Sequence, residues 1–334
     1  MKTLASIGEF PFIEAIAKLA LASRSRGVVV GIGDDAACLR LQRDAVVTVD
    51  TVVEGVHFRR EWLSPHQLGR RALRAALSDL SACGAVPCFA LLALTLKPDA
   101  PLADARGFVS ALIGEGRKQG LALVGGNVSA GPVFSATLTL VGQRGRRFLR
   151  RDTARAGDAI YVTGPLGGAS AGVALLKAGE LQGPLQNAFR LPPLRVAAGL
   201  ELGRIAGVGA VIDVSDGLVQ DLSHVCKAAH VSAEIDVESI PLPPALRRKA
   251  SAQSRRRGSI DPHAFALFGG DDYELLFTLR SPGRRSKAVL DALERAGCKA
   301  RPIGRIVPET RVPVCAAADG TALTGGFSHF GKRR

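Results

Sequence analysis

The stretch VIDVSDG at Val211–Gly217, continued by LVQDLSHVCKAA to Ala229, reads as a short strand that turns directly into a helix. Asp213 interrupts the apolar strand Val211–Val214, where an uncompensated charge is costly. Ser215 and Asp216 can be read as caps of the helix Gly217–Ala229, but capping does not account for Asp213. A strand feeding a helix is the unit of a mixed α/β fold, and the same alternation runs through the rest of the chain.

Upstream, helices are expected at Glu9–Ser23, from Pro65 to about Cys83, and at about Leu102–Gln119. Strands are expected at Val28–Ile32, Ala45–Val49, Phe89–Leu96, Leu121–Val124 and Phe134–Gly142. In the second half the expected strands are Ala159–Thr163, Glu234–Val237, Tyr273–Leu279 and Pro302–Val307. Helices are expected to end at Lys177, and to cover Leu194–Ile205, Pro244–Ala252 and Arg285–Ala296, with a loop at Ser254–Gly258. The 334 residues suffice for two cores, and the pattern places domains at 1–148 and 149–334, each α/β (α+β).

Composition removes several function classes. No apolar run approaches bilayer length, and Glu9 and Glu14 interrupt the N-terminal segment, so the expectation is a cytoplasmic chain with no membrane partner. The six cysteines form no CxxC pair and suit neither a zinc site nor a disulfide scaffold. The net charge of +14 comes from clusters such as Arg146–Arg147, Arg150–Arg151 and Arg255–Arg257. They lack interleaved aromatics or a nucleic-acid motif, so a solvated basic surface that attracts phosphorylated compounds is expected, with no specific nucleic-acid partner.

Acids recur in small clusters: GIGDD at Gly31–Asp35, Asp50–Thr51 after the strand Ala45–Val49, Ser78–Asp79, the DVSDG string, and GGDDYE at Gly269–Glu274. Turn and cap readings stay open for GIGDD and GGDDYE, because Asp beside Gly is common in turns. Together, however, the acids have no matching cations beside them in sequence. Oxygen-only ligands favour Mg²⁺, which typically uses one or two carboxylates together with water and nucleotide phosphates. No GxxxxGK[ST] string is present, and Gly164–Gly172 reads as a turn into a small-residue helix. These features describe a Mg-nucleotide enzyme without a P-loop.

Taken in order, EFPFI, GIGDDAA, VDTVVEGVHF, ALSDLSACGAVP, YVTGPLGGASAG, DVSDG, GGDDYELLFT and GFSHF resemble thiamine-monophosphate kinase over nearly the whole chain. That family belongs to a superfamily with aminoimidazole ribonucleotide synthetase, selenophosphate synthetase and a hydrogenase maturation factor. The resemblance implies a synthetase-like fold, with an N-terminal α/β domain that forms the sheet of a homodimer and binds ATP and Mg²⁺. A C-terminal α/β domain would complete the active-site cleft. It implies ATP as co-substrate, several Mg²⁺ ions, and phosphorylation of thiamine monophosphate to thiamine diphosphate.

By motif position it implies Asp35, Thr48, Asp50, Asp79, Asn127, Asp213 and Asp216 as metal ligands. Gly126, Asn127 and Ser215 would contact the nucleotide and Arg151 its phosphates, so that Asp213, Asp216 and Arg151 carry the catalysis. His57, Asp271 and Phe327 would contact thiamine monophosphate. Two positions depart from the family pattern: Asn127 stands where an acid is usual, and Asp271 where Glu is common. They leave two competing readings: a superfamily paralogue acting on another phosphorylated acceptor, and a nucleotide-binding regulatory protein without turnover.

Overall fold

The computed structural model describes residues 3–21, 27–32, 36–253, 261–309 and 315–326. By its internal contacts the chain divides into Met1–Leu80 with Ala85–Arg144, and Ser81–Gly84 with Gly145–Arg334.

The first unit begins with α1 (Leu4–Ile7), α2 (Glu9–Leu21) and an antiparallel ribbon of β1 (Val28–Val30) and β2 (Cys38–Leu39). Then follow β3 (Ala45–Val53), α3 (Pro65–Ala82), β4 (Ala85–Leu96), α4 (Leu102–Lys118), β5 (Ala122–Ala130) and β6 (Ser135–Arg144). The four long strands form one sheet in the order β3-β6-β4-β5, with β4 and β5 parallel and the other pairs antiparallel. Alternation along β6 buries Ala136, Leu138 and Leu140 on one face. The fully buried Leu73, Leu77 and Leu80 of α3 and Phe108 and Leu112 of α4 complete this core. Each such leucine contributes about 2 kcal/mol of transfer free energy. The opposite face is partly covered, where Val28, Leu39 and Leu41 pack with Phe89, Leu91 and Val141. Elsewhere on it Val47 and Val49 of β3 are 59% and 60% exposed.

Two expectations change in this unit. Asp50 and Thr51 do not end a strand. The β-branched Thr51, Val52 and Val53 carry β3 onward, paired through Val53↔Ser135. Gly125, Gly126 and Asn127 likewise lie inside β5, not after it. A Cβ on Gly126 would stand 1.9 Å from the Leu92 carbonyl oxygen, so glycine is what allows β5 this close to β4.

The second unit is built on a six-stranded sheet in the order β12-β9-β11-β7-β10-β8. Its strands are β7 (Ala159–Val162), β8 (Val208–Val214), β9 (Val231–Ile235), β10 (Glu274–Leu279), β11 (Arg301–Pro308) and β12 (Cys315–Ala317). All pairs are antiparallel except β12 with β9. The helices are α5 (Gly168–Lys177), α6 (Pro184–Arg190), α7 (Val196–Arg204), α8 (Leu218–Ala229), α9 (Pro244–Gln253), α10 (Pro262–Phe268) and α11 (Pro282–Arg295).

Both faces of this sheet are buried. Ile160, Ile212, Val214 and Leu276 pack with Leu218, Leu222 and Val225 of α8. Tyr161, Val211, Leu275 and Phe277 pack with Leu202 of α7 and Leu293 of α11. That explains why β8 and β10 are near-continuous apolar runs. The helices α6 and α10 were not expected from the sequence. Both have seven residues, too few to show a helical period, and both open with proline, at Pro184 and Pro262. The expected loop Ser254–Gly258 lies outside the described residues.

Candidate functional site

In the first unit, Thr48 and Asp50 alternate on the helix-covered face of β3, in register with Leu140 and Leu138 of β6. From α3, Asp79 reaches the same place: Thr48 Oγ1 donates to Asp79 Oδ2 at 2.5 Å. Asp50 Oδ1 accepts the Thr51 N–H at 2.7 Å. The strand then closes a tight turn at Gly55, where the Val53 carbonyl accepts the His57 N–H at 2.9 Å. In return the Val53 N–H donates to His57 Nδ1 at 3.0 Å. That bond requires Nδ1 to be unprotonated, which makes Nε2–H a donor. Glu54 serves the scaffold: it accepts from Arg60 Nε at 2.8 Å and from the Phe134 N–H at 3.2 Å. Burial raises its pKa, but these two partners outweigh it and hold the carboxyl below the usual range.

Gly126 and Asn127 stand at the other edge of the same sheet. One cross-strand row runs Asp50–Leu138–Leu92–Gly126 and the next runs Thr51–Thr137–Ala93–Asn127. The exposed Asn127 therefore lies on the face opposite Thr48 and Asp50, about 14 Å of sheet away. Within this unit Thr48, Asp50 and Asp79 come together and Asn127 does not join them. Asp35 and Phe327 lie outside the described residues.

In the second unit, Asp213 is 4% exposed near the end of β8, paired with Leu275. Ser215 and Asp216 form the turn into α8, whose N-cap is Gly217 at φ 113. Asp221, on the first turn of α8 and 3% exposed, accepts the main-chain N–H of Ser215 at 2.9 Å and of Asp216 at 3.0 Å, both on Oδ2. Burial, then the charges of Asp213 and Asp216, push the Asp221 carboxyl up to about 7. Gln220 donates to Asp216 Oδ2 at 3.0 Å.

The GGDDYE segment packs onto this turn. The Asp271 N–H donates to the Ser215 carbonyl and the Tyr273 N–H to the Val214 carbonyl, both at 2.8 Å. The Tyr273 hydroxyl donates to Asp271 Oδ1 at 3.0 Å. Asp271 and Tyr273 hold left-handed backbone, φ 73 and 51, and flank the buried Asp272. Asp272 accepts the N–H groups of Gly167 and Ala169 at the start of α5, and its burial pushes it up to about 8. Next along β10, Glu274 accepts both Nε and Nη2 of Arg195, at 2.5 and 2.6 Å. Burial alone would lower Arg195, and the Glu274 carboxylate outweighs it. Arg151 is exposed, and both it and Asp216 lie near enough to act on the charge of His224. This unit thus gathers Asp213, Ser215, Asp216 and Asp271 at one end of β8.

Asp221, Gln220 and Tyr273 were not singled out from the sequence. Asp221 did leave a trace, as a charge among Leu218, Leu222 and Val225 on the apolar side of α8.

Residues 33–143 match the AIR synthase related protein, N-terminal domain, and residues 155–314 its C-terminal domain. The thiamine-monophosphate kinase of Escherichia coli (strain K12) is 35% identical over 336 residues, covering 97% of this chain and 98% of the relative. This chain belongs to the thiamine-monophosphate kinase family. A thiamine-monophosphate kinase structure from Stenotrophomonas maltophilia K279a superposes with a TM-score of 0.81 at 35% identity, covering 94% of this chain and 98% of that one. A structure of AaThiL complexed with AMPPCP and TMP gives a TM-score of 0.76 at 30% identity, covering 99% of each chain. The mixed α/β architecture of two domains is therefore that of the thiamine-monophosphate kinases.

Among the described residues, no group of three or more His, Cys, Asp or Glu side chains is arranged to hold a metal ion by itself. The oxygen donors present are a hydroxyl–carboxylate pair, Thr48 with Asp79, and the acids around the Ser215 turn. Each of these groups, taken in its own unit, suits a hard cation that keeps water and shares anionic ligand oxygens. Asp221 stands beside the acids of the Ser215 turn, its carboxyl raised first by burial and then by the charges of Asp213 and Asp216.

Proposed function

We propose that this chain transfers the γ-phosphoryl group of ATP to the phosphate of thiamine monophosphate, giving ADP and thiamine diphosphate. The observation that carries the reading is the 35% identity to a thiamine-monophosphate kinase along nearly the full length of both chains. In the transfer, the bond from the γ-phosphorus to the β–γ bridging oxygen breaks and a bond from an acceptor phosphate oxygen to that phosphorus forms. The acceptor is already an oxyanion, so no strong base is required.

Thr48, Asp50 and Asp79 of the first unit would hold Mg²⁺, as would Asp213 and Asp216 of the second, and the resemblance adds Asp35; Asn127, on the opposite face of its sheet, stands apart from Thr48 and Asp50. Bound there, Mg²⁺ would neutralise charge on the phosphates and help align them. Ser215 would contact the nucleotide through its hydroxyl, and Gly126 through its main chain. Arg151 would pair with its phosphates as an exposed, permanently charged fork. His57, Asp271 and Phe327 would hold the acceptor. The Nε2–H of His57 is a donor for an acceptor oxygen, and Tyr273 braces the Asp271 carboxylate.

The sheet face bearing Val47 and Val49 would pack against a second copy of the chain, since two strongly exposed valines on one strand suit burial in a homodimer. The chain would work in the cytoplasm; among the described residues no helix is long and apolar enough to cross a membrane.

ADP release measured against thiamine monophosphate concentration tests the reaction. Release that saturates with the monophosphate and is absent with free thiamine is expected. Release indifferent to the monophosphate would overturn the assignment. Saturation with a different phosphorylated compound would favour the reading prompted by Asn127 and Asp271, that of a paralogue with another acceptor.

A further inference from the structure

The Ser215–Asp216 turn is held from two sides. Its Ser215 carbonyl, with that of the preceding Val214, receives the Asp271 and Tyr273 N–H groups, while its own two N–H groups both go to Asp221 Oδ2. The approach from the Asp271 side is close: a Cβ on Gly270 would stand 2.3 Å from the Ser215 carbonyl oxygen. Asp221 occupies the first turn of α8, where a carboxylate is favoured by the helix dipole. Yet the N–H groups it takes precede the N-cap Gly217, so they belong to the turn and not to the helix.

We propose that Asp221 is a positioning residue, one of whose carboxylate oxygens fixes the Ser215–Asp216 turn in the conformation that presents Ser215 to the nucleotide and Asp216 to its Mg²⁺. This rests on the nucleotide-binding reading above. A residue serving only to start α8 would cap the helix's own amides and would not need burial beside two other acids.

The test uses the full chain with Asp221→Asn and Asp221→Leu. Asparagine can place its carbonyl oxygen where Oδ2 stands and keep both bonds, whereas leucine of similar size keeps neither. Three quantities are measured: the Kd for Mg-AMPPCP by calorimetry, the exchange rates of the Ser215 and Asp216 amides, and kcat. A buried N–H left without its carboxylate loses enough free energy to predict, for Asp221→Leu, about a tenfold weaker Kd and a kcat lowered about 30-fold or more. Both amides should exchange faster in that variant. Asp221→Asn should stay within about threefold of wild type in Kd and kcat, a rescue that a purely electrostatic role would not give.

Wild-type Kd and kcat in Asp221→Leu would overturn the proposal. So would Asp221→Asn as damaged as Asp221→Leu, because the charge itself would then be the working feature. Should the leucine variant not fold, Asp221→Glu replaces it. Its extra methylene must displace the turn and lower kcat, and unchanged kcat and Kd would contradict the role. Wild-type protein that binds Mg-AMPPCP but makes no thiamine diphosphate would remove the acceptor assignment alone, leaving the binding and exchange measurements to judge Asp221.

Discussion

Asp213 shows how one side chain can carry a functional reading. It sits 4% exposed at the end of an apolar strand, close enough to Asp221 to raise that carboxyl. Asp213→Asn keeps its shape and removes its charge, so turnover at saturating Mg²⁺ should fall by about two orders of magnitude or more while the thermal melt changes little. Near-wild-type turnover would detach Asp213 from metal binding. Asp272 makes a different prediction, about pH. Its folded pKa, about 8, lies above the unfolded 3.8, so the folded state keeps a proton that the unfolded state loses. Stability from the neutral carboxyl is complete below the unfolded value and is lost as pH rises toward the folded one. Relative to wild type, Asp272→Asn should therefore gain at least about 1 kcal/mol in denaturant unfolding between pH 5 and pH 8. A gap that stays constant or narrows would contradict it.

At the scale of elements, much was legible because periodicity and long apolar runs survive in sequence. The strand–turn–helix of β8 and α8 reads from Val211–Val214 and Gly217–Ala229, although β8 begins three residues earlier, at Val208. What escaped was short or decided by partners. The seven residues of α10 are fixed by an Asp261 cap on the His263 N–H, and β12 exists only through its pairing with β9. Asp50 was placed after a strand, but the ladder with β6 continues past it to Val53. The site divides the same way. Asp213 was visible as an interruption of an apolar strand and the other acids as small clusters, whereas Asp221 was not singled out, because the Ser215 and Asp216 amides that it accepts show only in the fold. The Arg195–Glu274 pair was also invisible, since 79 positions separate its members. It joins the start of α7 to β10 beside the Asp271 segment. Arg195→Leu should cost about 3–5 kcal/mol in urea unfolding by stranding a buried carboxylate, and Glu274→Leu added to it should restore much of the loss. A cost below about 1 kcal/mol would show that Glu274 finds other compensation.

The whole molecule joins a strongly basic surface, +14 in net charge, to sites lined with acids. Long-range attraction of anionic phosphates and local binding of cations are compatible because screening separates them over about a Debye length. The proposed homodimer makes a prediction at this scale. The 34.9 kDa chain should sediment at twice its mass, and Val47→Lys with Val49→Lys should leave monomers. A wild-type monomer at assay concentration would exclude the dimer. The reaction itself is tested most directly by following the γ-phosphoryl group. Purified chain is incubated with Mg²⁺, γ-labelled ATP and thiamine monophosphate, and the products are separated by chromatography. Label in the terminal phosphate of thiamine diphosphate, dependent on both Mg²⁺ and the monophosphate, is the predicted result. Bound ATP whose label stays in ATP or appears only as inorganic phosphate would contradict it.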